Sequence, residues 1–306
     1  MQERQTVGFV GAGTMGGAMA LRLLDAGYRV RVHDRVPARA NQAVAHGAVA
    51  VPDPGAVASD VVIMMLPDSR VTRRVLFEAG LADAMAGGST IVDMSSGDPG
   101  LVREHANWLA TRGVGQLDAP VSQGQAEARA GTLRIMVGGD EKEFDRRRSV
   151  LSCLGDPYYL GPSGSGQVAK LVNQLILAVT VGAVAEGLLF GAAAGVEARQ
   201  LVAALQGGYA DGPVLRDHGR RMSQRDFERV GGPSHLFLKD LEGVRSELNR
   251  LGLRLGLVET VLPMFTALAE GRGGLLDHQA SLVRQVERMN PGFQVGSTSH
   301  DEVATS

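Results

Sequence analysis

The sequence predicts an α/β domain with a doubly wound, mostly parallel sheet, joined through a long helix to an all-α domain. Three observations lead to this prediction. Short apolar segments alternate with helical patterns up to about residue 160, no convincing strand pattern lies between 167 and 289, and a glycine-rich segment at 161–166 separates the two parts. Alternating strands and helices are typical of a parallel sheet covered on both faces. We therefore expect domains at 1–163 and 164–290 and a flexible tail at 291–306.

The elements follow from the apolar patterns taken in order. The predicted strands are 7–10, 29–33, 61–66, 90–94, 116–119, 133–137 and 157–160. Between several of them lie helical patterns at 37–46, 70–78, 101–111 and 141–154. Right-handed crossovers bring the carboxyl ends of parallel strands to one edge of the sheet, where cofactors bind. The second domain is predicted to contain helices at 167–195, 197–206, 236–251, 256–270 and 275–289.

The first strand leads directly into a glycine-rich turn. Gly11, Gly13 and Gly16 have the spacing G-x-G-x-x-G and precede a helical pattern that starts at Thr14 and Met15. The first glycine permits a tight turn, the second lets a pyrophosphate approach the backbone, and the third lets helix and strand pack closely. The N–H groups at the start of the helix attract a phosphate. This context predicts a Rossmann dinucleotide-binding domain, with an ordinary glycine-rich turn as the alternative.

The residues after the next strands indicate which dinucleotide is bound. Asp34 closes the second strand, where an acidic residue accepts hydrogen bonds from the adenine ribose. Its charge repels a 2′-phosphate and favours NAD, whereas Arg35 stacks on adenine or accepts the phosphate of NADP. Leu66, Pro67 and Ser96 follow two later strands, so we expect them near the nicotinamide half, unless they serve only as turn residues. NAD is the expected cofactor, and NADP is the alternative.

A polar segment after strand 116–119 is a candidate for substrate binding. The hydroxyl of Ser122 and the N–H groups of Gln123 and Gly124 form a cradle for a small carboxylate. A simple strand-to-helix turn is the alternative reading.

The long helix carries three polar residues on one face. Lys170, Asn173 and Gln174 stand at i, i+3 and i+4 in a pattern that is otherwise almost wholly apolar. Burying an ammonium group is expensive, so a lysine here needs a partner or a lowered pKa. Such a lysine is suited to hand a proton to a carbonyl oxygen, and a lysine that only reaches solvent is the alternative.

Composition excludes several classes of function. A net charge of −2 provides no general attraction for nucleic acid or an anionic membrane. The single cysteine and the absence of a signal-peptide pattern favour the cytoplasm, and the histidines show no metal-ligand spacing. The apolar stretch 175–194 is long enough to span a membrane, but it contains Glu186, whose carboxylate is costly in hydrocarbon. We therefore predict a buried helix there.

The motifs at 8–20, 118–139, 161–174 and 236–241, in this order, resemble those of the β-hydroxyacid dehydrogenase family. Its members include 3-hydroxyisobutyrate dehydrogenase and tartronate semialdehyde reductase. The resemblance implies a Rossmann domain, an all-α domain and assembly into homodimers or homotetramers. It also implies nicotinamide-dependent interconversion of a small 3-hydroxyacid and its semialdehyde.

Residue by residue, the resemblance makes Lys170 the general acid/base and Asn173 and Gln174 the amides that orient the substrate. It makes residues 122–124 the carboxylate cradle. Lys239 matches a family lysine that reaches the cofactor from the helical domain.

Two positions depart from the family pattern. The cradle normally reads Ser-Gly-Gly, whereas position 123 is Gln, and Gly232 stands where a phenylalanine near the nicotinamide is common. Both departures bear on which acid is the substrate. The alternatives are a 2-hydroxy-3-oxopropionate (tartronate semialdehyde) reductase, an imine-reductase-like enzyme and a non-catalytic dinucleotide-binding module. Lys170 argues against the last two, since imine reductases generally lack a lysine at this position.

Overall fold

The computed structural model describes residues 5–227, 234–270 and 278–296 and divides the chain into two compact units, Met1–Lys170 and Leu171–Ser306. The boundary between these units lies inside the long helix, after Lys170, and the domains at 1–163 and 164–290 stay a prediction. The boundary lies there because the first turns of this helix are bonded to the sheet: the N–H groups of Gly164 and Gln167 donate to the carboxylate of Asp118.

The first unit contains one nine-stranded sheet. Its strands are β1 (Thr6–Val10), β2 (Arg29–His33), β3 (Val49–Ala50), β4 (Val61–Met64), β5 (Thr90–Asp93), β6 (Gly115–Asp118), β7 (Val121–Ser122), β8 (Leu133–Gly139) and β9 (Gly155–Gly161). The order is β3-β2-β1-β4-β5-β6-β8-β7, and β9 pairs with β8. All pairs are parallel except those of β8 with β6 and β7. The predicted doubly wound, mostly parallel sheet is confirmed, and its order reverses between β1 and β4.

Helices cover both faces of this sheet. They are α1 (Thr14–Asp25), α2 (Asn41–Ala45), α3 (Ser69–Arg73), α4 (Leu81–Ala84), α5 (Pro99–Ala110), α6 (Gln125–Ala130) and α7 (Glu141–Leu154). The carboxylates of Asp68, Asp98 and Asp140 accept N–H bonds at the starts of α3, α5 and α7, which is why these helices begin where they do. The sequence did not predict β3, β7, α4 or α6, because these elements of two to six residues contain neither a continuous apolar run such as that of β4 nor enough residues to display a period.

Alternate strand residues enter two separate cores. In β4, Val61 and Ile63 join the cluster that contains Phe9, whereas Val62 and Met64 join the cluster that contains Leu76. All four β4 residues are fully buried. A strand buried on both faces reads as a continuous apolar run, which is what predicted it here.

Helices make up the second unit in its described parts, 171–227, 234–270 and 278–296. They are α8 (Ser165–Ala193), which begins in the first unit, α9 (Ala198–Leu205), α10 (Arg220–Gln224), α11 (Ser234–Leu251), α12 (Gly256–Glu270) and α13 (Val283–Met289). Phe237 and Phe265 meet edge to face at 4.9 Å in the core of the unit. Residues 291–296 pack more than the predicted tail implied, since Val295 is buried and donates its N–H to Glu287.

The long helix α8 is buried on one side only. Within the described residues it is the one helix long and apolar enough to cross a membrane, and 39% of its apolar window is buried. Ala178, Val181 and Ala185 are fully buried, whereas Ile176 and Phe190 are largely exposed. The expectation of a buried helix is therefore met for one face, and a single such helix is weak evidence for a membrane span.

Candidate active site

The glycine-rich loop between β1 and α1 has the geometry that a pyrophosphate requires. Gly11 has φ +96°, and a Cβ at this position would meet the carbonyl oxygen of Met65. A Cβ at Gly16 would meet the carbonyl oxygen of Gly11, so this position allows the close approach of helix and loop. A Cβ at Gly13 would meet no heavy atom within 4 Å, so the space in front of this residue is open.

A cleft of about 530 Å³ lies at this loop. Its walls include Gly13 and Thr14 at the start of α1, Arg39 from the turn before α2, and Gln125 and Arg129 from α6. The first intrahelical bond of α1 runs from the Gly17 N–H to the Gly13 carbonyl, so the N–H groups of Thr14 and Met15 have no acceptor within the helix. Open space, helix N–H donors and a nearby guanidinium fit the phosphates of a dinucleotide.

Asp34 is attached to this loop. Its Oδ2 accepts from the Ala12 N–H at 2.8 Å, and its Oδ1 accepts from the Val36 N–H at 2.8 Å. Arg39 Nη1 lies 3.9 Å from the same carboxylate, and Arg35 is exposed beside it. An ionised carboxylate has about four acceptor positions. Asp34 therefore orders the loop and retains acceptor capacity for ribose hydroxyls.

Leu66 and Ser96 lie beyond the carboxyl ends of the neighbouring strands β4 and β5. The Leu66 N–H donates to Ser95 Oγ at 2.8 Å, so the two loops are bonded to each other. Ser96 is half-buried, and Pro67 is exposed. The structure thus brings these predicted cofactor residues to the edge of the sheet that also carries the glycine-rich loop.

Gln167, which the sequence analysis did not select, bonds to the same β5 loop. Its Nε2 donates to the Ser95 carbonyl oxygen, and its Oε1 accepts from the Gly97 N–H, each at 2.8 Å. The sequence feature that could have identified Gln167 is its position on α8, three residues before Lys170. Polar spacing alone does not distinguish it from an exposed residue.

Asp118, at the end of β6, binds the start of α8. Its side chain is fully buried, and each carboxylate oxygen accepts one N–H, from Gly164 at 2.8 Å and from Gln167 at 2.9 Å. Burial raises the pKa of Asp118 to about 6, against the two N–H bonds, which lower it. The residue therefore anchors the helix that carries Lys170.

Lys170 and Ser122 are brought together in the first unit. Lys170 Nζ donates to the carbonyl oxygen of Val121 at 2.9 Å, and Val121 is directly bonded to Ser122 in the chain. Val121 and Ser122 form the short strand β7, which pairs with Arg134 and Ile135 of β8. The lysine thus has the polar partner that its position demanded.

The predicted cradle needs one correction. The N–H of Gly124 donates to Glu127 Oε2 at 3.0 Å, because this glycine precedes α6 and the third helical residue accepts its N–H. That N–H is therefore not available to a substrate. The cradle is reduced to the Ser122 hydroxyl and the N–H of Gln123, whose φ is +85°.

The remaining predicted residues form a chain of bonds in the second unit. Asn173 Nδ2 donates to Gln174 Oε1 at 2.8 Å, and Gln174 Nε2 donates to Asp240 Oδ2 at 2.7 Å. Lys239 Nζ lies 3.3 Å from Asp240 Oδ1. Gln174 is buried and both ends of its amide are bonded, so its side chain holds the Asn173 amide in place, and its contact with a substrate stays a prediction.

Two further expectations concern Gly232 and metal binding. Gly232, the second departure from the family pattern, lies outside the described residues. Across 5–227, 234–270 and 278–296, no group of three or more His, Cys, Asp or Glu side chains is placed to hold a metal ion.

Two family models match consecutive parts of the chain. The NAD-binding domain of 6-phosphogluconate dehydrogenase matches residues 6–164, and the NAD-binding domain of NADP-dependent 3-hydroxyisobutyrate dehydrogenase matches residues 164–285. The two models meet at the start of α8.

Individual relatives agree with these models. The 2-hydroxy-3-oxopropionate reductase of Escherichia coli K12 is 40% identical over 287 residues, which is 92% of this chain and 97% of that protein. The structure of Mycobacterium tuberculosis 3-hydroxyisobutyrate dehydrogenase with L-serine has a TM-score of 0.85 at 28% identity, covering 93% of this chain and 99% of that one. An imine reductase from Pseudomonas sp. shares the fold, with a TM-score of 0.62 at 24% identity over 93% of this chain and all of that one (100%).

Proposed function

Because the chain belongs to the β-hydroxyacid dehydrogenase family of NAD(P)-dependent oxidoreductases, we propose that it interconverts a small 3-hydroxyacid and its semialdehyde. Lys170 is the general acid/base of this reaction. The observation that carries the proposal is the bond from Lys170 Nζ to the Val121 carbonyl oxygen, which holds the amine beside Ser122. A group that moves a proton and a group that binds a carboxylate thus lie together beyond the carboxyl end of β6.

Each residue has one task in this reaction. When bound, the nicotinamide cofactor takes up or delivers the hydride. In oxidation Lys170 takes the proton of the substrate hydroxyl at Nζ, and in reduction it returns a proton to the carbonyl oxygen. The Ser122 hydroxyl and the Gln123 N–H bind the carboxylate and so orient the reacting carbon. Asn173, one turn beyond Lys170 on α8, orients the substrate hydroxyl.

Gln123 favours an acid with a polar substituent at C2. Its side chain is exposed next to the cradle, and an amide offers both a donor and an acceptor. A hydroxyl or an amino group at C2 is able to form a hydrogen bond with such an amide, whereas a methyl group is not. This favours a substrate of the 2-hydroxy-3-oxopropionate type over 3-hydroxyisobutyrate. The relative named 2-hydroxy-3-oxopropionate reductase agrees with this choice, whereas the relative solved with L-serine is itself named a 3-hydroxyisobutyrate dehydrogenase.

NAD is the preferred cofactor in this proposal. The carboxylate of Asp34 stands at the loop where the adenine ribose is expected, and it repels a 2′-phosphate. Arg35 and Arg39 lie close to Asp34 in the chain, and a guanidinium of either residue is able to bind a 2′-phosphate, so NADP is the weaker alternative.

The rival functions lack a comparable observation. An imine-reductase-like enzyme has no use for the bonded lysine at position 170, and a non-catalytic binding module has no use for a lysine and a cradle together. A small-molecule hydroxyacid or semialdehyde is therefore the partner we propose.

The protein is further proposed to be a cytoplasmic homodimer or homotetramer. Val172, Ile176 and Phe190 expose apolar side chains along α8, and contact with a second copy removes such a surface from water. Light scattering of the purified protein measures the molar mass that tests this assembly.

The test of the function is the initial rate of NADH or NADPH formation. The purified protein is mixed with NAD or NADP and with glycerate, L-serine, threonate, 3-hydroxyisobutyrate or 3-hydroxypropionate. We expect turnover of at least one acid and a loss of about 10³-fold in Lys170→Ala, since general acid–base catalysis contributes this much. NADH binding, measured by fluorescence, is expected to persist in the variant.

Lys142→Ala is the matched control, because Lys142 is an exposed lysine on α7 in the same unit. It should retain the wild-type rate. Wild-type turnover in Lys170→Ala would contradict the assignment of the base, and silence of the wild-type protein across the panel would contradict the proposed reaction.

A further inference from the structure

Gln167 holds the two residues on either side of Ser96. Its side chain is 1% exposed and lies in the first turn of α8. Its Nε2 donates to the carbonyl oxygen of Ser95, and its Oε1 accepts from the N–H of Gly97. Because one planar amide makes both bonds, the backbone of Ser96 is fixed from both ends.

The same turn of helix determines where Lys170 stands. Lys170 follows Gln167 by three residues, which places the two side chains on one helix face. The main chain at this point is fixed by Asp118, which accepts the N–H of Gln167 itself. The position of Lys170 Nζ is fixed in turn by its bond to Val121.

The β5 loop is also bonded on its other side. Ser95 Oγ accepts the N–H of Leu66, so the loops after β4 and β5 move together. Ser95 is 1% exposed, and its carbonyl oxygen would be buried without a donor if Gln167 lost its amide. Gln167 therefore connects the loops at the nicotinamide side to the helix of the general base.

We propose that Gln167 is a positioning residue for hydride transfer, which sets Ser96 and the β5 loop at a fixed distance from Lys170. The proposal rests on the function proposed above. Gln167 touches neither substrate nor cofactor in this role. It acts through the backbone of residues 95–97, which includes Ser96, the residue that the sequence analysis expects near the nicotinamide half of the cofactor.

The chemistry of the side chain explains why Gln is suited to this position. The two backbone groups require one donor and one acceptor from a single side chain, which an amide provides and an ionised carboxylate does not. Methionine has a similar volume and provides neither.

The experiment compares Gln167→Met and Gln167→Glu with Gln116→Met. Gln116 is a matched control, because it is also a buried glutamine of the first unit and its amide has no hydrogen-bond partner in the described structure. The first readout is hydrogen exchange of a peptide spanning 94–98 in the protein without added cofactor. We expect exchange at Gly97 at least tenfold faster in Gln167→Met and unchanged in Gln116→Met.

The second readout is catalysis with the best acid of the panel. In Gln167→Met we expect kcat to fall about tenfold or more with KM for the acid within about twofold. The primary isotope effect with acid deuterated at C3 should increase, because hydride transfer then limits the rate more strongly. In Gln167→Glu, lowering the pH protonates the carboxyl and returns the donor to Ser95, so kcat should recover relative to Gln167→Met.

One outcome would overturn the proposal: Gln167→Met keeps the wild-type kcat and isotope effect, and only its melting temperature is lowered. Gln167 would then contribute to stability alone. If the wild-type protein turns over no acid, the proposed function fails on its own. In that case hydrogen exchange and NADH affinity still test the role of Gln167. If both values in Gln167→Met equal those of the wild-type protein, the proposal is overturned.

Discussion

Gln123 occupies a backbone conformation that glycine adopts without strain. Its φ is +85°, and it is one of two non-glycine residues with positive φ in the described structure, the other being Arg225. Such a residue costs about 1–3 kcal/mol and persists where the surroundings hold it, often at functional sites. The strain and the departure from the family's Ser-Gly-Gly pattern fall on the same residue, which is why we assign it to substrate choice.

Gln123→Gly is expected to raise the free energy of unfolding by about 1 kcal/mol. The released strain of about 1–3 kcal/mol exceeds the roughly 0.5–1 kcal/mol by which a glycine favours the unfolded chain. Gln123→Ala removes the amide and keeps the strain, so it should not be stabilised. Urea unfolding curves of the three proteins measure the difference.

The two variants should agree in specificity even though they differ in stability. Loss of the amide is expected to lower kcat/KM for glycerate about tenfold relative to 3-hydroxypropionate, which corresponds to the ~1.4 kcal/mol of one hydrogen bond. A change in Gln123→Gly without a change in Gln123→Ala would mean that backbone strain, not the amide, determines the preference.

The charge of Asp34 also has a measurable consequence. Asp34→Asn keeps the size of the side chain and removes the charge, so the ratio of kcat/KM for NAD to that for NADP should fall about tenfold or more. One amide hydrogen would then face a backbone N–H of Ala12 or Val36, so a loss of about 1 kcal/mol in stability is also expected. An unchanged cofactor ratio would show that another residue selects the cofactor.

At the scale of elements, α8 depends on Asp118 at its start. Burial raises the pKa of Asp118 to about 6, above the unfolded value of 3.8, so the folded chain binds this proton more tightly. The protonated carboxyl of Asp118 therefore contributes its whole share of the free energy of unfolding below pH 3.8, and this share is lost as the pH rises through 6. Between these two limits of pH, the contribution of Asp118 to the free energy of unfolding changes by about 3 kcal/mol.

Asp118→Asn should consequently be less damaging at pH 7 than at pH 4.5. The variant loses one acceptor for the N–H of Gly164 or Gln167, but it carries no ionised carboxylate that burial would penalise. Unfolding free energies of both proteins at the two pH values measure this. A cost of substitution that is equal at both values would mean that Asp118 does not titrate in this range.

The elements also differ in how far the sequence predicted them. The sequence predicts β2 from alternating residues, β4 from a continuous apolar run and α7 from its helical pattern, and the predicted bounds agree with the structure to within a few residues. Short elements such as β7 depend on pairing with β8, and no local pattern encodes a partner that follows later in the chain. This is why the strand that carries Val121 and Ser122 was missed although Ser122 was selected as a site residue.

On the scale of the whole molecule, one buried residue in each unit contributes a pH dependence of stability, and the two contributions have opposite signs. Burial, and after it the neighbouring His218, whose ring centroid lies 4.8 Å away, lower the pKa of His278 to about 4. Because this folded value lies below the unfolded 6.5, the contribution of His278 to stability is fully present above pH 6.5 and is lost as the pH falls towards 4. Asp118 contributes the opposite dependence to the first unit.

His278→Asn is the variant that isolates this effect. Asn is able to replace the ring Nδ1 that accepts the Ala280 N–H, and it does not titrate. Between pH 7 and 5 the wild-type second unit should lose about 2 kcal/mol more than the variant. Calorimetry at the two pH values tests this, and an equal loss in both proteins would exclude His278 as the cause.

The sequence by itself determined the fold class, the family, the glycine-rich turn with Asp34, and the face of α8 that carries Lys170. These features depend on spacing within a few turns or strands, where backbone sterics and periodicity act locally. Only the tertiary structure decided the partners. Gln167 meets Gly97 across 70 residues, Gln174 meets Asp240 across 66, and Lys170 meets Val121 across 49. A hydrogen bond between residues so distant in the chain is set by how strands and helices pack, and no local pattern of side chains contains that information.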